Sequence, residues 1–177
     1  MKIKIKLLDK GCMPQITAKG DWIDCFTAYE VKIESPIANT LNGKRTRRNV
    51  EFVNELIPLG FCMELPKGYE AIINPRSSTY NKTGIILANH QGVIDNTYNS
   101  DKDQWWFNAI AFRDTIIPKY TKICQFRIQL SQFATFWQKL RWLFWNGKIK
   151  FVEVDSLGNE TRGSSMTNNT TNELNKH

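Results

Sequence analysis

Histidine is scarce in this 177-residue chain: only His90 and His177 occur. None of the four cysteines, Cys12, Cys25, Cys62 and Cys124, belongs to a Cys-x-x-Cys pair. Structural zinc needs four closely arranged thiolates or imidazoles, so these residues read as buried free thiols instead. No Gly-x-Gly-x-x-Gly or Walker-type run is present, which removes the classical dinucleotide and P-loop sites. No stretch approaches the roughly 18 uninterrupted apolar residues of a membrane-spanning helix. The opening stretch from Met1 to Lys10 alternates Lys with Ile and Leu, and no apolar secretory core follows it. A cytoplasmic address is therefore expected.

What is present suits one globular domain. Hydrophobic residues make up 41% and charged residues 23% of the chain, and the length is ordinary for a single core. The net charge of +7 favours anionic partners. Its densest run, Lys44-Arg45-Thr46-Arg47-Arg48, reads as a loop that is either solvated or steers an anion. Strand patterns cover Lys2 to Leu8, Val31 to Ile33, Phe52 to Leu59, Phe61 to Leu65 and Ala71 to Ile73. They continue through Ile85 to Ala88, Trp105 to Phe112, Ile123 to Ile128 and Lys148 to Val154. Many short, closely spaced strands predict an antiparallel barrel or sandwich. One helix interrupts them, at about residues 132–145. Its stripe of Phe133, Phe136, Trp137, Leu140, Leu143 and Phe144 is expected to pack on the parent domain or a partner subunit rather than on a membrane. The β domain is taken as residues 1–163. A flexible tail, residues 164–177, is rich in Asn, Thr and Ser with little to bury.

Two neighbouring stretches carry chemistry. Pro75-Arg76-Ser77-Ser78 places a guanidinium and hydroxyls together, a set suited to phosphate oxygens. Gly92-Val93-Ile94-Asp95 ends an apolar strand on a carboxylate, and Tyr98 follows three residues later. A carboxylate held rigidly on a strand can take a proton from water. Phosphate donors, one acid and one aromatic ring together suggest a nucleotide site with a water-activating base.

Both stretches resemble the second and third motifs of the trimeric dUTP diphosphatases, Pro-Arg-Ser-Gly-x-x-x-Lys-x-Gly-Ile and Gly-x-Ile-Asp-x-x-Tyr. Asn89 stands at the family's spacing before the second of these, and Ser78 replaces the usual glycine. Three further motifs match in part. Gly20-Asp21-Trp22-Ile23-Asp24 is similar to the first, Lys122-Ile123-Cys124-Gln125 to the fourth, and Arg162-Gly163-Ser164-Ser165 to the fifth, without its lid phenylalanine.

The resemblance implies a mostly β, jelly-roll-like fold, a homotrimer, and hydrolysis of dUTP to dUMP and diphosphate with magnesium. It assigns Asp95 as general base and Arg76, Ser77 and Ser78 to the phosphates. Asn89 and the backbone of Gly92, Val93, Ile94 and Asp95 would meet uracil, and Tyr98 the deoxyribose. Gln125 would join the site, and Arg162 would reach the γ phosphate. Asp24 would hold magnesium through water, with Asp21 as the fallback. Neither a membrane nor a nucleic acid is expected among the partners. Three alternatives remain: a nucleotide-binding regulator that has lost efficient closure, a dCTP deaminase relative, and a polyanion-binding module using Lys44 to Arg48. The deaminases need a glutamate near the hairpin, and none lies between Ala71 and Lys102.

Overall fold

The computed structural model describes residues 1–17, 20–35 and 52–158. The basic run at Lys44–Arg48, the tail from Ser164 and the candidate Arg162 lie outside the described residues.

Two five-stranded sheets pack face to face. The first is ordered β12 (Lys150–Glu153), β1 (Lys2–Leu7), β5 (Glu55–Glu64), β9 (Gln104–Ala111) and β7 (Ile85–Leu87). The second is ordered β2 (Gln15–Ile16), β3 (Ile23–Phe26), β11 (Lys122–Leu130), β6 (Tyr69–Pro75) and β8 (Gly92–Asp95). A separate two-stranded ladder joins β4 (Val31–Ile33) to β10 (Thr115–Ile117). Pairing is antiparallel except between β1 and β12, which run parallel.

Alternation explains most of these strands. In β9 the side chains of Trp105, Phe107, Ala109 and Ala111 point inward while their neighbours stay half-exposed. Trp105 links the two sheets: its ring lies 5.2 Å from Phe61 of the first and 5.1 Å, edge-on, from Phe126 of the second. Such aromatic contacts add to simple area burial.

One expectation changes here, and a second narrows. The stretches read as separate strands around Gly60 form one continuous β5, with a register irregularity between Pro58 and Cys62. Gly60 adopts φ +76°, and an added Cβ would lie 2.7 Å from Cys12 Sγ. The glycine therefore bends a strand instead of ending it.

The predicted helix forms as α2 (Phe136–Leu143), but its apolar stripe faces outward. Gln138 and Trp142 face the domain instead. Gln138 Nε2 donates to the Lys67 carbonyl at 2.9 Å, and the Trp142 ring lies 5.7 Å from Tyr69. A reciprocal cap between Thr135 and Gln138 starts the helix and fixes its rotation. Among the described residues, no helix is long and apolar enough to cross a membrane.

Candidate active site

The Arg76 stretch leaves the end of β6 and enters a single short helix, α1 (Thr79–Thr83), where sequence suggested only a polar turn. Thr79, buried and unmarked by any motif, is its anchor. The Thr79 hydroxyl donates to the Ile123 carbonyl at 2.6 Å and accepts from the Arg76 backbone N–H at 3.1 Å. This ties the turn to the start of β11. A hydroxyl three residues after the arginine, bonding back to its backbone, is the local signal that could have revealed it. Ser77 is exposed and Ser78 half-buried, and the Ser78 side chain makes no capping bond to α1. Gly84 ends α1 with φ +72°, and an added Cβ there would sit 2.4 Å from Arg113. Arg113 in turn donates to the Asn81 carbonyl at 2.7 Å.

The Arg76 side chain is aimed by a carboxylate. Arg76 Nε lies 2.8 Å from Asp24 Oδ1, and Lys122 Nζ lies 3.1 Å from Asp24 Oδ2. Asp24 is 4% exposed and sits in register with Gln125 on β11, which in turn pairs with Asn74 on β6. These residues are distant in sequence and meet only because β3, β11 and β6 are neighbours.

Both Asp24 oxygens are engaged by cations in the single chain, so the carboxylate orients Arg76 there. Among the described residues, no three His, Cys, Asp or Glu side chains form a group able to hold a metal ion. The fallback ligand, Asp21, lies just ahead of β3 and is exposed.

Asp95 closes β8 at an exposed position. One carboxylate oxygen accepts from the Thr97 backbone N–H at 2.7 Å and also from the Thr97 hydroxyl. The Asp95 carbonyl accepts from the Tyr98 N–H at 3.2 Å. This Asx turn fixes the direction of the acid. The Tyr98 hydroxyl donates to the Gln104 carbonyl at 2.8 Å, and burial pushes its phenol up to about 12.

Gly92 pairs with Ile73, where an added Cβ would approach within 3.1 Å. Val93 is exposed and Ile94 packs partly against the core. Asn89 is exposed in the loop that carries the chain from the first sheet to the second.

Register supplies two facts that the motifs do not contain. Asp95 lies opposite Glu70, whose carboxylate accepts from Gln129 Nε2 at 2.7 Å. Arg76 lies six residues beyond Glu70 on the same strand and its extension, about 20 Å away at a strand rise of about 3.4 Å per residue. Within one chain, the Arg76 turn and the Asp95 hairpin occupy opposite ends of one sheet. Arg76, Asp24, Lys122 and Gln125 come together at one end, and Asp95 and Tyr98 stand apart at the other.

Comparison with known proteins agrees with this architecture. The dUTPase family model matches residues 46–135. The SPβ prophage-derived deoxyuridine 5'-triphosphate nucleotidohydrolase YosS of Bacillus subtilis (strain 168) is 42% identical over 165 residues, 92% of this chain and 94% of that protein. The crystal structure of dUTPase from Streptococcus mutans superposes with a TM-score of 0.60 at 18% identity, covering 75% of this chain and 98% of that one. A mutant dUTPase from phage phi11 of S. aureus, described with a structural Mg(II) ion, superposes with a TM-score of 0.57 at 16% identity, covering 75% and 93%. Extended sequence identity, motif spacing and a shared fold agree: the chain belongs to the dUTPase family.

Proposed function

We propose that this chain is a cytoplasmic dUTP diphosphatase whose sites are assembled between subunits of a homotrimer. The observation that carries this reading is the separation of Arg76 from Asp95 along one sheet. A water and the phosphorus it attacks must approach within about 3–3.5 Å. Two groups about 20 Å apart in one chain therefore serve one phosphate only if a second copy supplies one of them.

In this scheme a water held by Asp95 attacks the α phosphorus of dUTP. Asp95 takes the proton, and the bond from that phosphorus to the α–β bridging oxygen breaks. The products are dUMP and diphosphate. Arg76, Ser77 and Ser78 from another copy neutralise and hold the phosphate oxygens, the task for which Asp24 aligns the Arg76 guanidinium. The Tyr98 ring packs against the deoxyribose and leaves no room for a 2′-hydroxyl. Asn89 and the backbone from Gly92 to Asp95 contact uracil, Gln125 contributes beside Asp24, and Arg162 reaches the γ phosphate. Magnesium would accompany the triphosphate and neutralise its charge, with Asp24 holding it through water.

Asp95→Asn tests the scheme: dUTP affinity is retained while diphosphate release falls by at least about 10²-fold. Turnover near the wild-type rate in that variant would remove Asp95 as the base. One observation favours a second reading. Glu70 stands opposite Asp95, so a glutamate does border the hairpin, as a dCTP deaminase would need. Ammonia release from dCTP would establish that activity, and its absence, with diphosphate released from dUTP, would leave hydrolysis alone.

A further inference from the structure

Helix α2 presents to solvent the side chains that its sequence would lead one to expect inside. Phe133, Phe136, Trp137, Leu143 and Phe144 are 70% to 88% exposed. At roughly 100° per residue, Phe136, Trp137, Leu143 and Phe144 share one face, with Lys139 and Arg141 on its two flanks. Gln138 and Trp142 lie on the opposite side and hold the helix to the domain. The outward face is held in place: Trp145 Nε1 donates to the Lys148 carbonyl at 3.1 Å, and the Trp142 and Trp145 rings lie 4.8 Å apart.

Charge selects the occupant of this face. Between Ser131 and Lys150 there is no Asp or Glu, while Lys139, Arg141, Lys148 and Lys150 all occur. Lys150 pairs in register with Lys2, and the N-terminal ammonium donates to the Lys148 carbonyl at 2.5 Å. The nearby Glu64 is ion-paired to Lys4 at 3.0 Å.

The remaining chain is poorly suited to cover the stripe. Residues 159–177 contain only Met166 and Leu174 as apolar side chains, and residues 36–51, which hold Ile37, Leu41 and Val50, also carry Lys44, Arg45, Arg47 and Arg48 that would meet the cations flanking the stripe. Two copies joined symmetrically, stripe against stripe, would set the flanking cations of one against those of the other. A surface both apolar and anionic meets both demands.

We propose that α2 is an interfacial anchor that docks the protein on an anionic lipid bilayer. Its aromatic face would enter the headgroup region, and Lys139, Arg141, Lys148 and Lys150 would meet lipid phosphates. A membrane partner departs from the expectation drawn from the sequence.

The test is co-sedimentation of the full chain with vesicles of phosphatidylcholine, alone or mixed equally with phosphatidylglycerol. Wild type pellets with the mixed vesicles, not with the neutral ones, and is released as salt is raised. Lys139→Gln/Arg141→Gln weakens partitioning about 25-fold, at about fivefold for each charge removed. Trp137→Ser/Phe144→Ser abolishes binding. Both variants are expected to hydrolyse dUTP in solution like wild type, because Trp137 and Phe144 lie on the face of α2 turned away from the domain that holds them.

Absence of wild-type binding to the mixed vesicles at low salt would overturn the proposal. So would unchanged binding by the aromatic double variant. A lower oligomeric mass for that variant would assign the face to a second copy instead.

Discussion

Subunit complementation gives a quantitative test of the shared site. Arg76→Ala removes the guanidinium aimed by Asp24 and is expected to cost about 10²–10³ in turnover, the scale of losing one charged transition-state donor. Asp95→Asn removes the proposed base. In the proposed homotrimer, each variant alone would give inactive trimers. When the two are co-expressed in equal amounts, subunits assort at random. A working site then needs Arg76 from a chain of the second kind and Asp95 from its neighbour of the first kind. Each condition holds half the time, so about one quarter of sites, and about a quarter of wild-type turnover, should return.

If Arg76 and Asp95 acted within one chain, no assortment could reunite them and activity would stay at the level of the separate variants. The approximately 20 Å between them along β6 makes that outcome incompatible with a single phosphate site. The assay is diphosphate release from dUTP, with preformed trimers mixed without exchange as the inactive control. Activity no higher than that control would refute the shared site and the register argument beneath it.

Three other consequences can be measured directly. Asp24→Asn leaves Arg76 and Lys122 facing each other. Breaking a buried pair costs about 3–5 kcal/mol, and because these partners' side chains are 30% and 31% exposed, we expect about 2 kcal/mol. That corresponds to a melting point lower by about 4–8 °C, with a raised KM for dUTP; an unchanged melting point and KM would discard the orienting role. Thr79→Val deletes the tether between the Arg76 turn and Ile123 and should cost about 1–3 kcal/mol in urea unfolding. Wild-type stability in that variant would show the tether to be dispensable. Burial pushes the thiols of Cys12 and Cys62 up to about 11 and the Tyr98 phenol up to about 12. The unfolded chain loses these protons first, so the stability they contribute is complete below about pH 9 and is lost as pH rises toward 11–12. Urea midpoints that stay flat across that window would contradict the buried neutral groups.

The parts of this protein that were legible in its sequence are those with local causes. Alternation marked β1, β9 and β11 because one face of each meets the core. Arg76-Ser77 and Asp95-Tyr98 stood out because each motif is contiguous. Gly60 misled because a glycine that bends a strand and one that ends it look alike until the packing of Cys12 against it is known. The α2 stripe does not pack on the parent domain, one of the two places expected for it. Periodicity identifies two faces but not which one the domain covers, and that choice was made by Gln138 reaching Lys67 and Trp142 meeting Tyr69.

The least legible features depend on strand order. Asp24, Arg76 and Lys122 form one cluster only because β3, β11 and β6 are consecutive in the second sheet. Glu70 faces Asp95 only through the register of β6 with β8. The same register places the phosphate-gripping turn and the acid at opposite ends of one sheet. A linear reading sees two neighbouring motifs and suggests one compact site per chain. Strand geometry turns that closeness in sequence into distance in space, so a hydrolytic site built from both motifs requires more than one copy of the chain.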